Sequence, residues 1–141
     1  MASIWGSARL FIYSFEDHPA YADRVVELRR RMIERGDRLF TSALAVGEIL
    51  VKPAEAGDRE LLERYREVFR SPAITVIPFD LPTAECYARI RADRTIARPD
   101  AIHLACAASR DINLFITNDK RLVGKNIPGI DFIASLETAP L

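Results

Sequence analysis

At 141 residues the chain is close to the ~150-residue soft prior for one domain, so a single domain over residues 1–141 is expected. Hydrophobic residues at 49% and charged residues at 28% exclude a disordered chain of low hydrophobicity and high net charge. Twenty Lys+Arg against 20 Asp+Glu leave no global field to draw the protein onto nucleic acid or an anionic membrane, so any polyanion site must be a local patch. The longest apolar stretches, such as Ala43 to Val46 and Ile102 to Ser109, fall far short of the ~20 residues of a membrane helix. The N-terminus carries neither the basic region nor the apolar core of a signal peptide, and a cytoplasmic location is expected.

In chain order, Ala2 to Trp5 offers a short first strand. Tyr21, Val25, Leu28 and Met32 then recur at helical spacing, with Pro19 placed for the helix start and Gly36 for its end. Arg38 to Thr41 reads as a strand and Ala43 to Val51 as an apolar helix that Pro53 terminates. A further helix runs from about Asp58 to Phe69, with Leu61, Leu62, Tyr65, Val68 and Phe69 on one face. The β-branched run Ala73 to Phe79 predicts a strand buried on both faces. Helices follow from about Pro82 to Arg91 and from Pro99 to Ser109, then strands at Leu114 to Thr117 and Ile130 to Ala134. Cys86 and Cys106 sit in apolar helical patterns without a second thiol or a histidine at metal spacing, and read as buried thiols. Helices alternating with short apolar strands imply a mainly parallel sheet covered on both sides, a three-layer α/β/α sandwich.

Ligands of such sheets bind beyond the carboxyl ends of the strands. Three acids stand at suitable places. Glu48 is the one charge in a helix that otherwise reads Ala43-Leu44-Ala45-Val46-Gly47 and Ile49-Leu50-Val51. A helix apolar on nearly every side is expected to be buried, where an unpaired carboxylate is costly; Glu48 is then a member of a buried ion pair, a neutral acid or a metal ligand. Asp100 lies just inside a helix start in Arg98-Pro99-Asp100, where capping the exposed amides is the simpler role. Asp119 closes a strand in Phe115-Ile116-Thr117-Asn118-Asp119, where Asn and Asp are also ordinary turn residues. Two carboxylates ~4 Å apart repel by about 4 kcal/mol at an effective dielectric of ~20. Three acids converging at one sheet edge therefore persist by taking up protons or by binding a hard cation, Mg²⁺ or Mn²⁺.

These segments resemble the PIN domain family, the nuclease fold of VapC-type toxins. Leu10-Phe11-Ile12-Tyr13-Ser14-Phe15-Glu16 resembles the segment after the family's first strand. Ser42 to Glu48 resembles its acid-bearing helix, Asp100-Ala101-Ile102-His103-Leu104-Ala105 its third acidic motif and Phe115 to Asp119 its fourth. The resemblance implies a Mg²⁺- or Mn²⁺-dependent endoribonuclease in which Glu48, Asp100 and Asp119 are the catalytic metal ligands. Thr117 and Asn118 would orient Asp119 or a phosphate, and Arg98 and Lys120, with Arg94, Arg121 and Lys125, would hold RNA phosphates. It also implies a small antitoxin as partner and a homodimer. His103, inside an apolar helix, reads as a core histidine or one that supports a ligand, and Trp5 and Tyr13 as core aromatics. One departure stands out: the family's first-strand Asp, six residues before the position of Tyr13, is Ser7 here, or Gly6 if the alignment shifts by one. The alternative is accordingly a catalytically degenerate PIN module that binds RNA or a protein without cutting.

Overall fold

The computed structural model describes residues 1–16 and 18–141. Strands β1 (Ser3–Gly6), β2 (Arg38–Ser42), β3 (Ile74–Ile77), β4 (Ile112–Thr117) and β5 (Ile130–Ser135) form one sheet in the order β3-β2-β1-β4-β5. Every neighbouring pair is parallel. Helices α1 (Ala8–Phe15), α2 (Ala22–Arg35), α3 (Ala43–Ala56), α4 (Arg59–Arg70), α5 (Leu81–Ile90) and α6 (Arg98–Ala108) connect and cover them. This is the α/β fold expected from the alternation of elements.

The period-2 geometry of a strand sends successive side chains to opposite faces, and the sheet residues divide accordingly. Trp5, Phe40, Ile77, Phe115 and Ile133 pack with Ala101, Leu104 and Ala105 of α6 and Ile90 of α5. Ile4, Leu114, Ile116 and Ala134 pack instead with Tyr13 of α1 and Leu28 and Met32 of α2. A third cluster joins Phe11, Ile49, Tyr65 and Ile74, from α1, α3, α4 and β3. The last strand is entered through Gly129 at φ 95°, where a Cβ would lie 2.5 Å from the carbonyl oxygen of Ala108. Only glycine fits that approach.

Several expectations from the sequence need correction. Pro53 does not end its helix: α3 runs on to Ala56. Proline removes one helical N–H and crowds the preceding turn, yet the chain completes a further turn and closes on Gly57 at φ 65°, with the Gly57 and Asp58 N–H groups donating to the carbonyls of Ala54 and Pro53. Nor is α3 buried on nearly every side, because only Ala45, Ile49 and Pro53 are buried, while Leu44 and Val51 are exposed. Its apolar composition exceeds what the fold covers. β3 is shorter than the run Ala73 to Phe79 and is the sheet's edge strand, with Thr75 exposed, so it is not buried on both faces. Cys106 is buried as expected, whereas Cys86 is only half-buried. The segment carrying Leu10 to Phe15 folds as helix α1, which the periodicity alone did not reveal.

Candidate active site

The strand order reverses at β1: the chain moves outward from it to β2 and β3 on one side and to β4 and β5 on the other. In open parallel sheets, ligand crevices open where neighbouring connections leave in opposite directions. Here a cleft of about 730 Å³ lies at this point, lined by Ser7, Ala8 and Arg9 beyond β1 and by Thr117, Asn118, Asp119 and Lys120 at the end of β4. Glu48 and Lys52 of α3 and Asp100 and His103 of α6 complete its walls. The three acids singled out in the sequence thus line one cleft, and Thr117, Asn118 and Lys120 line it with them. Arg98, by contrast, is exposed at the start of α6 and is not among the lining residues.

Each acid has a distinct surrounding. Asp100 sits in the first turn of α6, and burial, followed by the charge of Asp119, pushes its carboxyl above the ordinary value of 3.8. Asp119 is close enough for a protonated Asp100 to donate a hydrogen bond to it. Asp119 is itself held low, chiefly by Arg121, whose Nε and Nη2 donate to its two carboxylate oxygens at 3.0 and 2.8 Å. The Arg121 and Asp119 backbone N–H groups complete the turn, donating to Asp119 Oδ1 at 3.0 Å and to Thr117 Oγ1 at 3.1 Å. Glu48 Oε1 accepts from His103 Nε2 at 2.8 Å. Among the described residues, no three His, Cys, Asp or Glu side chains stand together as a group that would hold a metal ion. The cleft therefore presents a carboxylate pair, Asp100 and Asp119, together with Glu48, which is bound to His103.

The first-strand position is decided by the pleat. Ser7 lines the cleft, and its Oγ is buried without a hydrogen-bond partner. Gly6 lies on the other side, where an added Cβ would meet Phe11, Leu10 and Leu39. Ser7 is thus the residue facing the three acids, and it brings a neutral hydroxyl.

Other polar groups are committed. Asn118 Nδ2 donates to Tyr13 Oη at 2.8 Å, fixing the end of β4 to α1. Lys125 pairs with Asp93, and the Arg30 and Arg31 guanidiniums pair with Glu27 on the surface of α2. Arg9, Lys52 and Lys120 line the cleft, and no ion pair of theirs is found among the described residues. Sequence reasoning missed Arg9 and Lys52, whose place follows only from the fold. It also missed Ser42, whose Oγ lies 2.9 Å from His103 Nδ1; its position before α3 marks it as a helix cap, but a contact across 61 positions has no local signal. Trp5 is wholly buried beneath the cleft, stacked on Phe115 at 5.5 Å, as expected of a core aromatic.

The PIN domain family model matches residues 8–126, which spans all three acidic motifs. The chain belongs to the PIN domain family. Among solved structures, it is similar in fold to a chain of the VapBC2 complex from Rickettsia felis bound to a DNA fragment from the promoter of its genes (TM-score 0.73, 16% identity, covering 96% of this chain and 98% of that one). It is similar also to a chain of DNA-bound VapBC from Salmonella typhimurium (TM-score 0.66, 20% identity, 96% and 99% covered) and to one of a toxin-antitoxin complex from Klebsiella pneumoniae (0.63, 20%, 92% and 95%). No curated protein matches the sequence. Among the described residues, no helix is long and apolar enough to cross a membrane.

Proposed function

We propose that this PIN domain is a toxin of the VapC type, an endoribonuclease that uses Mg²⁺ or Mn²⁺ and is neutralised by a small antitoxin. The observation that carries this reading is the Asp100–Asp119 pair at the strand-order reversal, with Glu48 in the same cleft. The donor set fits a hard cation in a particular way. Mg²⁺ is ordinarily held by one or two carboxylates together with substrate phosphates and water, not by a cage made wholly of protein. Asp100 and Asp119 are such a pair, and their mutual repulsion is what a cation relieves. When bound there, the ion would neutralise phosphate charge and lower the pKa of a coordinated water.

The chain's own groups supply the rest. Lys52 and Lys120 line the carboxylate pair's cleft, as does Arg9, two residues after Ser7; together they bind phosphates flanking the scissile one. Glu48, held at Oε1 by His103, keeps one carboxylate oxygen toward the cleft to accept a proton or a hydrogen bond from an attacking water. Arg121 opposes cation binding, because its guanidinium occupies both Asp119 oxygens and must release at least one.

Two surfaces suit protein partners. An apolar groove of about 430 Å³ lies between α1, α2 and α4, lined by Leu10, Phe11, Val25, Leu28, Met32 and Val68, and fits an apolar helical segment of the antitoxin. The exposed Leu44 and Val51 of α3 support a homodimer, since apolar side chains that a lone protomer leaves bare are commonly covered by a second copy. The neutral Ser7 favours a second reading, a module that binds RNA or its antitoxin without cutting.

The two readings part in a single-turnover cleavage assay on a mixed RNA pool with Mg²⁺ or Mn²⁺. The nuclease reading predicts weak cleavage by the chain as it is, a gain for Ser7→Asp, and loss of that gain when Asp100→Asn is added. Folded Ser7→Asp protein that cuts no RNA in the pool, or cutting that survives Asp100→Asn, contradicts it.

A further inference from the structure

We propose that His103 is a positioning residue: anchored at Nδ1 by the buried hydroxyl of Ser42, it holds the Glu48 carboxylate in place over the cleft through its Nε2–H. The inference rests on reading the cleft as the RNA-cleaving site.

Ser42 ends β2 and caps α3, where its Oγ accepts from the Ala45 N–H at 2.9 Å. It is wholly buried, so its remaining hydrogen-bonding capacity must be used internally. His103 Nδ1 lies 2.9 Å away and uses it. At the other end of the ring, Nε2 lies 2.8 Å from Glu48 Oε1. An ionised carboxylate only accepts, so the proton belongs on Nε2. A neutral ring then has a bare Nδ1, and the hydroxyl that already accepts from Ala45 turns its own proton toward it. Both ends of the imidazole are satisfied by this one tautomer. With the proton on Nδ1, a lone pair on Nε2 would face the carboxylate.

The chain of contacts runs from rigid to mobile. Ser42 is locked by the start of a helix, and the His103 ring is mostly buried and lies edge-on to Trp5 at 6.5 Å. The Glu48 side chain is 43% exposed, and His103 is its one partner among the described residues. Without the histidine, nothing found on α3 or α6 keeps that carboxylate over the cleft, and a long acidic side chain at such exposure samples several rotamers. Glu48 therefore depends on two residues that do not themselves reach the substrate.

The test separates positioning from cleavage. In the chain labelled with ¹⁵N-histidine, without RNA or cation, the His103 signals are identified by their loss in His103→Gln. They are expected to show a protonated Nε2 and a bare Nδ1. Ser42→Ala is expected to leave the ring averaging between tautomers, as is Glu48→Ala, an exposed substitution that does not endanger folding. A protonated Nδ1 with bare Nε2, or spectra unchanged by both substitutions, overturns the proposal whether or not RNA is cut. In the Ser7→Asp background, His103→Leu is expected to lower kcat at least about tenfold with KM little changed, as misplacement of a catalytic group does. His103→Gln, which carries an N–H donor on a side chain of similar reach, is expected to recover most of the loss. A fall in KM-linked binding alone, or no recovery by Gln, contradicts the positioning role. The predicted tautomer in a Ser7→Asp protein that cuts nothing would instead count against the nuclease reading.

Discussion

Two depressions flank β1, and they differ in kind. The cleft at the carboxyl ends of β1 and β4 holds Asp100, Asp119, Glu48, Arg9, Lys52 and Lys120. The groove between α1, α2 and α4 is lined mostly by apolar side chains, with Ser14, Arg29, Glu67 and Ser71 among them. One short strand serves both, because alternate residues face alternate sides: Ile4 and Gly6 look toward the groove, Trp5 and Ser7 toward the cleft. A shift of one residue along β1 thus moves a side chain from the polar cleft to the apolar groove. The face on which Ser7 and Gly6 lie is therefore what tells their positions apart.

The largest expected effect breaks the comparison along that line. Ser7→Asp places a carboxylate beside the acidic pair and is expected to raise cleavage by about 10²-fold with Mn²⁺, since a catalytic arrangement loose by ~1 Å loses about that much. Gly6→Asp places it against Phe11, Leu10 and Leu39. No gain is expected there, and the unfolding midpoint should fall, because a carboxylate in apolar surroundings is costly. Equal rate gains from the two substitutions in the assay would show that the faces are not distinct.

An intermediate effect separates the two depressions from the other side. Val25→Glu puts a charge at the half-buried lip of the groove. It is expected to weaken antitoxin binding by roughly tenfold or more, as loss of an apolar anchor does, while leaving cleavage by the Ser7→Asp protein unchanged. Titration calorimetry with the antitoxin, read beside the cleavage assay, checks both halves.

How much of this was legible in the sequence depends on range. β3 announced itself through a β-branched run, and Glu48 stood out where an apolar pattern was broken, whereas Asp100 and Asp119 stood out by their places at a helix start and a strand end. The apolar run Leu114-Phe115-Ile116 marked β4 as a strand, although not which face each residue would take. What stayed hidden was set by tertiary contact. The pairing of Ser42 with His103, and of Asn118 with Tyr13 across 105 positions, joins residues with ordinary local roles. Pro53 misled because a helix interior tolerates one lost bond when the next turn can close on a glycine. The apolar sequence of α3 misled differently: it signalled burial, and the single chain leaves Leu44 and Val51 bare.

The smallest effect concerns stability. Burial and Asp119 raise the Asp100 carboxyl above its ordinary 3.8, so the folded chain binds that proton more tightly than the unfolded one. Its contribution to stability is fully present below 3.8 and is lost as pH rises through the folded value. Asp100→Asn is expected to remove this loss and raise the melting temperature at neutral pH. Thermal melts across pH 3 to 8 should show the two proteins diverging as the pH increases. Parallel curves would mean that Asp100 is not strained. Active sites commonly carry such a cost.

We propose that the Asp100–Asp119 pair is a cation site left weak by the neutral Ser7, a reading that Mn²⁺ binding puts to the test. The chain has one tryptophan, Trp5, beneath the cleft, so its fluorescence and titration calorimetry report the same event. On that reading the chain as it is binds weakly, Ser7→Asp binds tighter by about tenfold because ligand charge sets hard-cation affinity, and no binding is measurable once Asp100→Asn is introduced. Mn²⁺ affinity indifferent to both substitutions would contradict it.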